Sequence, residues 1–319
     1  MKPLKVLMIN RPKDWWKGGD TVQMEATAYA LRKLGVEVDI SETPLISPAL
    51  KMLQYDIIHT FNFPLTWSKY AIWAGASWKK KKADLGRGKM GVVASMIYHD
   101  TDKFVTFPEQ QVMADNCDAC IFLAEGELGR AKKHITIDEK KIHFIPNGIH
   151  PFWFSEVKGK KQEDFILTVG RLDGAKGQFE LAMACRELKI PLICVGEVTD
   201  KDYGELCEEA GAILAGKMEP KDLIKLYAGC KVFALASKAE VMPLVVMEVG
   251  AQAKPVVLSE RSEYKFKNVI WCQTDAKSVK KALLQALKQP SNEALRDEVK
   301  VMTWDSVGER ILEIYKQIL

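Results

Sequence analysis

The 319-residue chain reads as an α/β protein built from two successive parallel-sheet units covered by helices. Three observations predict this. Short, β-rich apolar runs alternate with longer segments of helical period, the pattern of parallel strands joined by crossover helices. The series stops at a polar stretch and then starts again. A chain this long also exceeds what one core holds, since single cores rarely grow past about 250 to 300 residues.

In the first half the predicted strands are 5–9, 36–40, 56–60, 91–95, 119–123 and 142–145. Between the first two, Val22, Ala26 and Ala30 fall on one helical ridge with Tyr29 beside it, and Gly35 is placed to close that helix. The polar stretch 157–162, rich in Lys, Gly and Gln, is the predicted linker. Beyond it come strands 165–169, 192–195, 212–214, 232–235, 255–258 and 269–271. The last segment, 304–319, is an amphipathic helix with Val307, Ile311, Ile314, Tyr315 and Ile318 on one face. The expected division is 1–156 with 304–319 for the first unit, and 163–303 for the second.

Composition excludes several classes. Hydrophobic residues make up 47% and charged residues 28%, ordinary for a globular protein and too apolar for extensive disorder. A dispersed net charge of +4 is too small to imply a nucleic-acid partner. No apolar run approaches the roughly 20 residues of a membrane-spanning helix. Val6, Leu7, Met8 and Ile9 are too few for a signal-peptide core and read as the first strand, so a cytoplasmic location is expected. The seven cysteines are odd in number and scattered in apolar surroundings, which argues against a disulfide framework. Cys117 and Cys120 match a CxxC spacing but run straight into a strand, and the buried structural reading is preferred to a redox one.

In open parallel sheets, ligands bind at the carboxyl ends of strands, where loops meet helix N-termini. Two such lobes facing each other would form a cleft. Directly after the first strand of the second unit stands the stretch from Gly170 to Gly177, carrying Arg171 and Lys176. Arg supplies a planar bidentate donor and Lys a point charge, beside the free N–H groups of a helix start, which together suit a diphosphate. A pair of solvated surface cations is the competing reading. The stretch is neither a Walker loop nor a GxGxxG fingerprint, which disfavours a nicotinamide-dependent oxidoreductase.

After strand 232–235, Glu240 and Glu248 stand on either side of Pro243. Proline suits a first helical turn, leaving Glu240 in the loop and Glu248 in the second turn. The amides near Leu244 and Val245 are then a second anion site, and the carboxylates can accept from sugar or ribose hydroxyls. Alternatively Glu240 is a capping charge and Glu248 a surface residue, although Glu248 sits in so apolar a helix that burial is expected, and a buried carboxylate needs a partner.

From 165 to about 258 the chain resembles the C-terminal lobe of the family 4 retaining glycosyltransferases. The resemblance rests on Val169-Gly170-Arg171 with Lys176-Gly177, on Val195-Gly196, and on Ser237 to Glu240 with Glu248, in that family's order. The first half is similar to the family's acceptor lobe through Gly18-Gly19, Asp56 to His59, His99-Asp100 and Ile145 to Ile149. Three positions depart from the pattern: Ala236 stands for proline, Ala253 for glycine, and the stretch from Ser259 to Glu263 keeps only the glutamate of a Gly-Gly-x-x-Glu.

The resemblance implies a GT-B fold, two Rossmann-like lobes facing a central cleft, with the C-terminal helix crossing back to the first lobe. It implies retaining transfer of a sugar from a UDP- or GDP-linked donor to a glycan or lipid-linked glycan. Catalytic roles then fall to Arg171, Lys176, Glu240 and His99. Donor contacts fall to Gly18, Gly19, Arg171, Lys176, Glu240, Pro243, Leu244, Val245 and Glu248. His59 is read as structural or as a pocket wall. With no DxD-like cluster evident, fixed cations and helix ends are expected to replace a metal, and no cofactor beyond the nucleotide-sugar co-substrate is expected. A sugar-nucleotide epimerase and a non-catalytic nucleotide-sugar-binding protein are the alternatives.

Trp67, Tyr70, Trp73 and Trp78 lead into Lys79, Lys80, Lys81 and Lys82. Aromatic anchors beside a basic run suit a peripheral contact with the anionic inner membrane face; a solvated helix end over core aromatics is the other reading.

Overall fold

A computed structural model describes residues 3–12, 18–42, 53–98, 105–157 and 162–319. The chain divides into two compact units, Met1–Gly148 with Thr303–Leu319, and Ile149–Met302. The boundary thus falls at Gly148 rather than in the predicted linker. Residues 149–156 go with the second unit because Ile149 donates to the Met302 carbonyl (2.7 Å) and Trp153 packs on Tyr227, ring centroids 5.7 Å apart. The linker positions 158–161 lie outside the described residues.

The first unit runs β1 (Lys5–Ile9), α1 (Gly19–Lys33), β2 (Glu37–Ser41), β3 (Ile57–Phe61), α2 (Thr66–Asp84), β4 (Gly91–Ser95), α3 (Phe107–Asn116), β5 (Ala119–Phe122), α4 (Glu125–Ala131) and β6 (Ile142–Phe144). Its six strands are all parallel, in the order β2-β1-β3-β4-β5-β6. The second unit runs β7 (Ile166–Val169), α5 (Gln178–Leu188), β8 (Leu192–Val195), α6 (Lys201–Glu209), β9 (Ala212–Leu214), α7 (Pro220–Gly229), β10 (Val232–Leu235), α8 (Leu244–Gly250), β11 (Val256–Ser259), β12 (Ile270–Cys272), α9 (Ala276–Ala286) and α10 (Glu293–Lys300). Its parallel sheet is ordered β12-β11-β10-β7-β8-β9. Every predicted strand forms, most within one residue of the expected ends. Strands buried on both faces show in sequence as unbroken apolar runs, as β5 and β10 do here, whereas the equally buried β3 carries His59 and Thr60.

The last helix, α11 (Trp304–Ile318), belongs to the first unit, as expected. It packs along α1, where the small pair Gly308 and Ala30 lets the helices approach: a Cβ at Gly308 would lie 2.7 Å from the Ala30 Cβ. Val307, Ile311, Ile314 and Tyr315 are buried. The expected ridge on α1 is corrected. Val22 and Tyr29 are exposed, and the helix instead buries Met24, Ala28 and Leu31 with Thr21 and Thr27, polar residues that a hydrophobic-ridge reading passes over.

His59 on β3 is fully buried and structural. Its Nδ1 meets the Tyr315 hydroxyl at 2.6 Å and its Nε2 the Ser95 hydroxyl at 2.9 Å, tying the last helix to two strands. Burial pulls its pKa down to about 3, so the folded ring is neutral. The unfolded ring takes up a proton below about 6.5 while the folded one refuses it, so stability is present above that pH and lost as pH falls toward 3. The stability gap between the protein and a His59→Gln variant, read from urea midpoints, should therefore narrow between pH 7 and 5, by up to about 1.4 kcal/mol per pH unit below 6.5. A constant gap would contradict this.

All seven cysteines are free and buried, including Cys117 and Cys120, and the hydrogen bond with Cys120, followed by burial, raises the Cys117 thiol. The basic-aromatic segment forms most of α2, and two of its members are corrected. Lys82 is buried: its Nζ donates to the Tyr55 carbonyl (2.8 Å) and to Asp56 (2.9 Å). Trp78 packs against the core around Leu7, Ile58 and Met90. Lys79 pairs with Asp118, and Lys81 lies over the Trp78 ring, 5.0 Å from its centroid. Trp73 is exposed, with Lys69 over its ring at 5.0 Å. Among the described residues no helix is long and apolar enough to cross a membrane.

Candidate functional site

In the second unit the chain winds from β7 out to β9, then returns to β10 on the other side of β7 and continues outward to β12. The order reverses between β7 and β10. Loops leaving two such strands diverge to opposite faces and leave a crevice at the carboxyl end of the sheet. The two motifs singled out in sequence are the loops that leave β7 and β10.

The loop after β7 is a tight, internally bonded turn. Asp173 accepts from the Ala175 N–H at 3.0 Å through its side chain and from the Lys176 N–H at 3.0 Å through its carbonyl. Gln178, buried at the start of α5, donates to the Arg171 carbonyl at 2.7 Å. Gly177 caps α5 with φ +70°, and a Cβ there would stand 2.2 Å from the Ala236 carbonyl oxygen. The turn therefore lies against the loop after β10, and Lys238 donates back to the Ala175 carbonyl at 2.8 Å. A Cβ at Gly196, after β8, would lie 1.9 Å from the Gly170 oxygen, so the third loop is equally close.

This packing brings Lys176 and Glu240 together. Lys176 Nζ lies 2.6 Å from Glu240 Oε1, with the side chains 22% and 13% exposed. The lysine stem runs past Gly170, where a Cβ would lie 3.8 Å from its Cδ. Glu240 is held by its backbone: it pairs with Ser262 in an isolated parallel bridge, and its carbonyl accepts from the Glu263 N–H at 2.9 Å.

Arg171 sits on the same turn but is turned outward. Its guanidinium is 3.3 Å from Asp173, and its side chain is 44% exposed. Pro243 is the N-cap of α8, one position earlier than expected, and Leu244 and Val245 open the helix half-buried. Glu248 falls in the second turn, as expected, and its partner is the Tyr227 hydroxyl at 2.8 Å. Burial pushes Glu248 up to about 7, opposed by that hydrogen bond.

Gly18 and Gly19 lie in the first unit, where Gly18 caps α1 in extended conformation and Gly19 begins it. Beside them a buried ion pair joins Arg11 to Asp20, which also accepts from Asn62 at 3.3 Å. His99 and Asp100 lie outside the described residues. β4 leads toward them, and its exit is tied to that of β5 by the buried Glu127, which accepts from the Tyr98 N–H at 2.7 Å and the Leu123 N–H at 2.6 Å. Among the described residues, no three His, Cys, Asp or Glu side chains gather in a way that could hold a metal ion. Sequence reasoning missed Tyr227 and Gln178, both of which read as ordinary helix positions until the strand order is known.

Residues 151–302 match the family model described as Glycosyl transferases group 1. An uncharacterized glycosyltransferase of Methanocaldococcus jannaschii is 24% identical over 254 residues, 69% of this chain and 65% of that protein, so the match spans just under two thirds of the relative's length. The sucrose-phosphate synthase of Thermosynechococcus elongatus superposes with a TM-score of 0.79 at 16% identity, covering 99% of both chains. HepE of Anabaena, solved in complex with UDP and glucose, gives a TM-score of 0.74 at 15% identity over 98% of this chain and 100% of its own. The second unit thus matches the group 1 glycosyltransferase model, and the whole chain shares the GT-B fold of these solved glycosyltransferases.

Proposed function

We propose that this protein is a family 4-type retaining glycosyltransferase that moves a sugar from a UDP- or GDP-linked donor to a hydroxyl of a glycan or lipid-linked glycan. The observation that carries the reading is the Lys176–Glu240 pair at the reversal between β7 and β10. Support for a nucleoside diphosphate comes from HepE of Anabaena, whose structure contains UDP and glucose.

Breaking the anomeric carbon to phosphate bond builds negative charge on the leaving diphosphate and positive charge on the sugar ring. The Lys176 ammonium neutralises the first, joined by the Arg171 guanidinium once it swings in from Asp173 on donor binding, so that both are in place before the bond breaks. On donor binding Lys176 exchanges its carboxylate partner for a phosphate oxygen, which frees Glu240 to accept from sugar hydroxyls. Glu248 accepts from the ribose hydroxyls. With no nucleophilic carboxylate assigned, the acceptor hydroxyl attacks from the face the phosphate leaves, and the phosphate oxygen takes its proton. In this reading these cations supply the neutralising charge that a metal ion would otherwise bring, and the reaction is metal-independent.

The test is to incubate the protein with UDP- and GDP-sugars and a panel of glycan acceptors, with and without EDTA, and to follow the product by NMR. The expected result is transfer with the donor's anomeric configuration, at a rate EDTA does not change. An inverted product overturns retention, and a rate abolished by EDTA and restored by a divalent cation overturns metal independence. Conversion of donor without acceptor would replace transfer by epimerisation.

A further inference from the structure

The carboxylate assigned to the ribose is itself held by one side chain. On α8, Val246, Met247 and Val249 around Glu248 are buried. From α10, Leu295 and Val299 stand against Gly250, so the faces toward that helix are apolar. The polar contact comes from α7, where Tyr227 is fully buried between two rings. Its centroid is 5.7 Å from Trp153 and 6.0 Å from Phe233, edge-on to both at 68° and 67°. Phe233 lies on β10, the strand that leads to Glu240. The rings fix the phenol, and the phenol donates to Glu248 Oε2 at 2.8 Å.

Among the described residues Glu248 has no other hydrogen-bond partner and no cation paired with it. The titratable groups around it are Tyr227 itself and, beyond it, Cys230, whose thiol donates to the Tyr227 carbonyl at 3.3 Å, with Lys254 acting on that thiol. A hydrogen bond to the charged form of an acid favours that form. Two adjacent hydroxyls donating to one carboxyl group are best accepted by the ionised form, since a protonated acid gives up one acceptor to an O–H.

We propose that Tyr227 is a positioning residue for nucleotide recognition: its hydroxyl holds one Glu248 oxygen and favours the carboxylate form, so that the other oxygen accepts from the vicinal hydroxyls of the donor's ribose. The inference rests on the reading of Glu248 as the ribose acceptor. Nucleotide affinity then falls as pH drops through the titration of Glu248, and removing the phenolic oxygen moves that titration upward.

The experiment titrates UDP and, in parallel, GDP calorimetrically from pH 6 to 9 into the protein, Tyr227→Phe and Glu248→Gln. Phenylalanine keeps the stacked ring and deletes only the donor, and the nucleotide's own phosphate titration is common to all three proteins. Loss of a hydrogen bond to a charged group is expected to move the midpoint up by about one pH unit. Tyr227→Phe should therefore bind about fivefold more weakly at pH 7 and converge with the parent near pH 9. Glu248→Gln should bind weakly at every pH. A Tyr227→Phe curve that matches the parent, or lies below it by the same factor throughout, overturns the positioning role while leaving the ribose assignment standing. Parent-like binding by Glu248→Gln overturns the ribose assignment and this inference with it.

Discussion

Replacing Lys176 with alanine should lower kcat/KM for the donor by two to three orders of magnitude while the protein stays folded. Loss of one preorganised group aimed at developing charge costs about 10²- to 10³-fold, on the order of 3 to 4 kcal/mol. A purely structural lysine would behave differently. The ammonium and the Glu240 carboxylate are both partly open to solvent, at 22% and 13%, and such a pair contributes about 1 kcal/mol to stability after screening. The melting temperature should therefore drop by only a few degrees. Glu240→Gln breaks the same pair but leaves the cation facing the phosphate, so its loss should be smaller and should depend on the donor sugar. Pre-steady-state transfer with radiolabelled donor, set beside thermal melts of both variants and the double mutant, reads the difference. Equal losses in the two single mutants with no further loss in the double would mean that only the ion pair matters. Lys176→Ala within tenfold of the parent would remove the lysine from the chemistry.

Which parts of this were legible in the sequence follows from how local each signal is. Parallel strands announce themselves because both faces are buried, so the runs at 119–122 and 232–235 carry no polar break. The Lys176–Glu240 contact spans 64 residues and exists only because β10 returns to the side of β7, an ordering that no local pattern encodes. Motif order suggested that the two belong to one site; the sheet supplies the reason. Tyr227 and Glu248 are 21 residues apart on consecutive helices, and a tyrosine beside Leu223 and Ile224 reads as core. It is core, with one polar atom that matters. Lys82 was misread for the opposite reason. A run of four lysines suggests an exposed helix end, yet Lys82 falls seven residues after Gly75 on the stripe that α2 buries, and period should have outweighed composition. The α1 ridge failed because its inward face includes Thr21 and Thr27, which hydrophobicity alone does not count.

Substituting Gly177 with alanine should cost the second unit about 2 to 4 kcal/mol and abolish most transfer, although glycine carries no functional group. Two costs combine. At φ +70° a residue with a Cβ pays about 1 kcal/mol or more for the left-handed conformation. The new atom would also sit 2.2 Å from the Ala236 carbonyl oxygen, and a backbone oxygen at the end of a central strand cannot swing aside as a side chain can. The only relief is to move the turn away from the loop after β10. That separates Lys176 from Glu240 and weakens the bond from Lys238 to the Ala175 carbonyl. Gly174→Ala is the matched control on the same turn, because a Cβ there meets nothing nearer than Tyr203 at 4.0 Å, and its stability should stay within about 0.5 kcal/mol of the parent. Urea midpoints and kcat/KM for the pair decide the matter. If Gly177→Ala unfolds no earlier than Gly174→Ala and transfers as fast, the two loops are not locked together, and the geometry on which Lys176 depends is looser than this packing implies.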